Sequence, residues 1–336
     1  MPTGRYRYAA AAIGLVAALA PALGRGEDIN ILMALPAATL TFSNAFLAED
    51  AGFYRQEGLR VTNRTIVGVG AVNAVISGSA DFTMGTGPVF LRAAAQGQRL
   101  LALVNLIDKP LVELVLRKDV AASAGITEAT PFNERARALR GKTIGIQGVG
   151  SIVHAWERLV AHRGGLDIEG DVRIAPMDPP GMLAALTTGT LDGYATSLPY
   201  TTEAVVKGSA VMLASAVRDA PDLLPFAYGL VYTRPDTCTK RREKCARLAR
   251  ALIAANRFIR EQPGEALALL KKRFDKMDPA VLAAAWPIVA AAHAGDLRVT
   301  AAGLEHSQQV SLEAKLLAPK DALTSFDGLT TEEFLR

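Results

Sequence analysis

Two stretches of this chain decide its fold: residues 73–90, NAVISGSADFTMGTGPVF, and residues 184–201, AALTTGTLDGYATSLPYT. At a constant offset of 111, Gly78 meets Gly189, Asp81 meets Asp192, Thr86 meets Ser197 and Pro88 meets Pro199. Each glycine suits the left-handed residue that ends a helix, and each proline suits the first turn of the next helix. A single short strand fits between them, so each copy reads as helix, strand, helix. The same offset carries Pro36 onto Gln147 and Gly70 onto Gly181.

Outward from the repeat, β-rich runs alternate with helical ones. Strands are expected at 29–35, 61–67 and 82–84, with helices at 43–51 and 70–77. The order returns with strands at 143–146, 172–174 and 194–195 and helices at 151–162 and 181–188. Such alternation predicts parallel strands crossed by helices, an α/β class. With 336 residues, half of them hydrophobic, the chain is at the edge of what one core usually reaches before chains split, so two lobes of similar plan are expected, the first completed by returning chain. Four further helices are expected at 240–260, 264–273, 279–293 and 301–317.

In open α/β sheets ligands sit beyond the carboxyl ends of the strands, so two facing lobes make a cleft lined by strand-to-helix loops. Here those loops fall at 36–43, 68–71, 84–87, 147–151, 178–181 and 196–200. They supply Thr39, Thr41, Phe42, Ser43, Gly70, Ala71, Gly85, Thr86, Gln147, Gly150, Ser151, Ser197 and Tyr200 as candidate ligand-binding residues. Thr86 and Ser197 hold equivalent loops, so both can close on one ligand from opposite sides. Gly148–Ser151 opens a helix, whose free N–H groups suit an oxyanion; Ser151 either donates to that ligand or caps the helix. Asp178 reads as a helix cap before Pro179. Phe42, Phe82, Tyr194 and Tyr200 are candidates to sandwich a planar ligand, although strand alternation turns half of the strand aromatics into the core.

The same loops hold no catalytic constellation. The sequence around Ser151 lacks the closing glycine of a nucleophile elbow. His154 and His162 stand eight residues apart on one expected helix, too far to share a metal. Neither a metal nor a cofactor is expected. The charge of +4 comes without a basic stripe interleaved with aromatics, so nucleic acid is not expected as a partner. No arginine is placed to clamp an anion: Arg64 ends or follows a strand, and Arg92 and Arg99 lie past the loops.

The amino terminus reads as an address. Arg5 and Arg7 precede an apolar run at 8–23 that is too short to span a bilayer, with small residues at Ala22 and Gly24 for cleavage after Gly24. Export is the expectation, an uncleaved anchor the alternative. Outside the cytoplasm Cys238 and Cys245 can pair, but on one continuous helix they would lie about 10 Å apart, so pairing needs Cys238 in a turn before the helix; otherwise both are free thiols.

Residues 47–61, LAEDAGFYRQEGLRV, resemble the "A…GFF…EGL-V" signature of NitT/TauT-type solute-binding proteins of ABC importers. ISGSADFTMGTGP and LTTGTLDGYATSLP resemble that family's two "G-x-x-D…P" segments, and LRGKTIGIQGVGS (139–151) its "L-K-G-K-x-I-G" opening of the second lobe. The resemblance runs from about residue 28 to 317. It implies a type II periplasmic binding protein, two lobes joined by hinge crossings near 105–117 and 225–233, with the late helices packed on lobe 1. Residues 1–24 are then a signal peptide, 25–110 with 230–336 lobe 1, and 111–229 lobe 2. The implied function is a soluble periplasmic receptor, expected as a monomer, that passes a small acidic organic solute, an aromatic one included, to a membrane permease driven by a cytoplasmic ATPase. The alternatives are a periplasmic sensor and an enzyme of pyrimidine (thiamine precursor) biosynthesis. Those enzymes have a cysteine-rich segment and an active histidine that this sequence does not match.

Overall fold

Asp81 and Asp192, the paired aspartates of the repeat, make the same bond in both copies. Asp81 Oδ2 accepts from the backbone N–H of Leu32 at 2.9 Å, and Asp192 Oδ2 from that of Thr143 at 2.8 Å, again 111 residues on. Each carboxylate thereby ties the residue just before one strand to the backbone of the parallel strand beside it. Gly78 and Gly189 end their helices at φ +82° and +78°, where a side chain would be strained. The prolines differ. Pro88 opens the helix Gly87–Ala95, whereas Pro199 stands just before the helix Tyr200–Val206.

The computed structural model describes residues 28–127, 129–167 and 169–335. The expected signal peptide lies outside them. Ten strands are present among the described residues: β1 (Ile29–Leu35), β2 (Leu59–Thr65), β3 (Phe82–Gly85), β4 (Leu101–Asn105), β5 (Val112–Arg117), β6 (Thr143–Ile146), β7 (Arg173–Pro176), β8 (Gly193–Ser197), β9 (Ala210–Ser215) and β10 (Leu230–Thr233). They form two five-stranded sheets, in the orders β2-β1-β3-β10-β4 and β7-β6-β8-β5-β9. In each sheet four strands run in one direction and one, fourth in the order, runs against them: β10 between β3 and β4, β5 between β8 and β9. The first sheet is completed by returning chain, as the sequence suggests, and the second receives its fourth strand by the opposite exchange.

The chain crosses between the sheets at 106–111 and again at 224–229. The crossings lie side by side, with Leu106 N–H donating to Gly229 O at 2.8 Å and Phe226 N–H to Asp108 O at 2.9 Å. Asn105 adds a side-chain bond to Phe226 O at 3.1 Å. One apolar core runs under both sheets, from Met33, Leu47 and Phe82 to Ile144, Trp156 and Leu213.

The late helices form at Arg242–Glu261, Pro263–Arg273, Pro279–Ala290 and Ala301–Glu313, Ala- and Leu-rich segments of good helix propensity. The last of them differs from expectation. It packs on the helix Gly87–Ala95 of the first sheet and also on the helix Ile152–Arg163 of the second, where Arg158 Nε donates to Ala314 O at 2.5 Å. Cys238 and Cys245 are joined in a disulfide, Cα to Cα 5.6 Å. The pairing is open to them because the backbone breaks at Arg241, between the short helix Pro235–Lys240 and the long one after it. No helix among the described residues is long and apolar enough to cross a membrane.

Candidate functional site

The loops after β1, β2, β3, β6 and β8 converge on one cavity between the sheets, about 40 Å³ in volume. The first loop gives Pro36, Ala37, Thr39, Thr41 and Phe42, the last two on a 3₁₀ turn that runs into the helix Ser43–Asp50. The ends of β2 and β3 give Gly68, Val72, Gly85, Thr86 and Val89. From the second sheet come Gln147, Ser151, Ile152 and Ser197, and from the returning crossing and β10 come Tyr228 and Tyr232. Gly85 permits a close approach: a Cβ there would stand 2.6 Å from the Tyr232 hydroxyl.

Eight of the expected site residues therefore meet: Thr39, Thr41, Phe42, Gly85, Thr86, Gln147, Ser151 and Ser197. Five lie elsewhere. Ser43 is buried with its hydroxyl 3.2 Å from His293 Nε2, in a network that also joins Asn44 and Asn256. Ala71 is buried in the core beneath the helix Gly70–Ser77, which Gly70 opens. Gly150 faces a separate groove beside Arg92, and Tyr200 a third one beside Arg273. Of the aromatic candidates only Phe42 reaches the cavity; Phe82 and Tyr194 point into the core. Asp178 takes the N-cap position of the helix Pro179–Thr187 but makes no capping bond with its side chain.

Sequence reasoning missed Tyr228 and Tyr232. Neither belongs to the repeat, and they are brought to the cavity by a crossing and by an antiparallel strand. Burial raises both phenol pKa values above the ordinary range. Tyr228 OH lies 3.2 Å from Ser197 Oγ. Thr41 also lies close enough to ease the Tyr228 shift, though without the geometry of a hydrogen bond.

Polar demand in the cavity falls on one side. Thr39, Thr41 and Thr86 are at most 5% exposed, and none of their hydroxyls has a hydrogen-bond partner. Such groups carry an unmet desolvation cost. On the other side Ser151 is occupied. Its hydroxyl donates to Gly148 O at 2.7 Å and accepts from His154 N–H at 3.4 Å, capping the helix Ile152–Arg163. His154 in turn accepts from Gly150 N–H through Nδ1 at 3.0 Å, which requires that nitrogen to be unprotonated, and burial holds its pKa down at about 4. No side chain lining the cavity is charged, and no hydroxyl there faces a histidine or carboxylate that could act as a base. The arrangement offers hydroxyl and amide donors between apolar walls.

The two sides of the cavity are tied at its rim. Leu40 N–H donates to Leu198 O at 3.0 Å, Tyr200 OH to Ala38 O at 3.3 Å, and Arg92 Nη2 to Gly150 O.

Comparison with known proteins agrees with this architecture. A structure from Bordetella bronchiseptica RB50 superposes with a TM-score of 0.79 at 20% identity, covering 91% of this chain and 96% of that one. The alkanesulfonate-binding protein SsuA of Xanthomonas axonopodis pv. citri, bound to MOPS, gives 0.69 at 19% identity over 89% and 97%. The periplasmic nitrate-binding protein NrtA of Synechocystis PCC 6803 gives 0.70 at 15% identity over 92% and 88%. At these identities the likeness establishes the periplasmic binding protein fold. No curated protein sequence matches the chain. The sequence model of the NMT1/THI5-like family matches residues 40–266, which span both halves of the repeat and both crossings; the chain belongs to that family.

Proposed function

We propose that this protein is a solute receptor of an ABC importer. It closes two lobes, 25–110 with 230–336 and 111–229, around a small organic acid and passes it to a membrane permease. It works as a periplasmic monomer once residues 1–24 are removed. The observation that carries the reading is the trio of buried hydroxyls on Thr39, Thr41 and Thr86, which lack partners and line an enclosed cavity with no nucleophile-base pair. A solute with several oxygen acceptors satisfies them, and Phe42, Val72, Val89 and Ile152 accommodate an apolar or aromatic body. Structural neighbours named for alkanesulfonate and nitrate binding add support.

The test is a thermal-shift screen of the chain from Arg25 onward, refolded to strip carried solute, against carboxylates, sulfonates, nitrate and pyrimidines. A solute that binds only the folded state raises the melting temperature by mass action. One class of hits, confirmed by calorimetry without turnover, is expected. Turnover of a hit, or no shift across the panel, counts against the receptor.

A further inference from the structure

We propose that Arg92, standing behind the cavity wall, is the residue that makes this site prefer an anionic solute to a neutral one. The proposal rests on the receptor reading and names the group that sets its charge preference.

Three arginines are buried among the described residues: Arg135, Arg158 and Arg92, the last 9% exposed. Arg135 pairs with Asp219 at 2.7 Å and Arg158 with Glu169. Arg92 has only neutral acceptors, Ser311 Oγ at 3.0 Å and Gly150 O. The titratable groups that interact electrostatically with it are Tyr232 and His154, and neither is a carboxylate. A buried cation ordinarily comes with an anion. Here the anion is missing from the protein.

Its position says where the anion belongs. Arg92 lies on the helix Gly87–Ala95, one turn after Val89, and Val89 and Val72 each line both the cavity and the groove that holds Arg92. Tyr232 is itself a cavity wall. One layer of side chains thus separates the guanidinium from a cavity that has no cation of its own, and in a low-dielectric interior a charge acts across such a layer far more strongly than in water. Because Gly150 belongs to the loop after β6, the tie to Arg92 also fixes the charge in place where the two sheets' loops meet.

The experiment uses matched acids and amides: benzoate with benzamide, and 3-methylbutanoate with 3-methylbutanamide, titrated by calorimetry into ligand-free protein. Wild type is expected to bind each acid at least about tenfold more tightly than its amide. Arg92→Gln should bring that ratio close to one, and Arg92→Lys should keep most of it. If Arg92 were only a tie between the lobes, Arg92→Gln would weaken acid and amide alike and leave the ratio unchanged, which overturns the proposal. Amides that bind wild type as tightly as the acids overturn it without any variant, so a misfolded Arg92→Gln does not protect it. A wild type that binds neither these pairs nor any solute of the wider screen fails the receptor reading instead.

Discussion

A hydroxyl buried without a partner costs the empty protein stability, so its removal should separate structure from function. Thr86 is 5% exposed and its Oγ1 has no hydrogen-bond partner in the protein. Thr86→Val, which keeps the shape and drops the hydroxyl, is therefore expected to leave the empty protein as stable or up to about 1 kcal/mol more stable. The same change should weaken solute binding by about 1–3 kcal/mol, because the solute loses a donor inside a dry site. Denaturant unfolding and calorimetry on one preparation check both signs. A loss of stability with unchanged affinity would make Thr86 an ordinary structural residue. Ser197→Ala is the contrast, since Ser197 already contacts Tyr228 and should lose on both measures. Thr86 and Ser197 were legible because the repeat puts them in register. Ser43 was not: its partner His293 lies 250 residues away, and no local pattern reveals that contact.

At the scale of the element, the helix Ile152–Arg163 carries an acid and a base whose pKa values burial displaces in opposite directions. Burial pushes the Glu157 carboxyl up from 4.5 to about 7, against the pull of Arg158. Burial, then Arg158 and Arg92, hold the His154 imidazole down from 6.5 to about 4. The folded state keeps a proton on Glu157 that the unfolded chain has already lost, so this group's contribution is complete below about pH 4.5 and declines as pH rises through 7. His154 behaves oppositely, contributing fully above about pH 6.5 and losing it as pH falls through 4. Glu157→Gln should accordingly stabilise the protein at pH 8, by up to about 3 kcal/mol for a shift of this size, and make little difference at pH 4.5. A difference that does not vary with pH, measured by urea unfolding at both values, would show that Glu157 is not held protonated. The helix itself was readable to within a residue or two from its glycine-serine opening and apolar spacing. Edge strands were less so. The reading at 61–67 gives way to β2 at Leu59–Thr65, because pairing with β1, Ile29 opposite Leu59, sets the register rather than the apolar run.

At the scale of the molecule, the repeat made two similar sheets and a cleft between their loops legible. The repeat alone did not show β5 as a strand; the lobe boundary expected at residue 111 put that segment in the second lobe, while its pairing between β8 and β9 follows from long-range contacts. The rim of the cleft was equally hidden, and it bears on affinity. Tyr200 does not line the cavity; its hydroxyl reaches Ala38 O at 3.3 Å, beside the backbone bond from Leu40 to Leu198. These bonds join loops of different sheets, so they exist only while the loops are together. A solute held from both sides binds that arrangement, and its apparent affinity falls with the fraction of molecules that adopt it. Tyr200→Phe removes one such bond, with a net worth of about 0.5–1.5 kcal/mol. Solute affinity should then fall by up to about tenfold, although no group touching the solute has changed. The faster step should be release, and small-angle scattering of the empty variant should give a larger radius of gyration than wild type. Wild-type affinity together with an unchanged radius would mean that the rim bond does not bias closure, and that solute contacts and the paired crossings alone hold the lobes together.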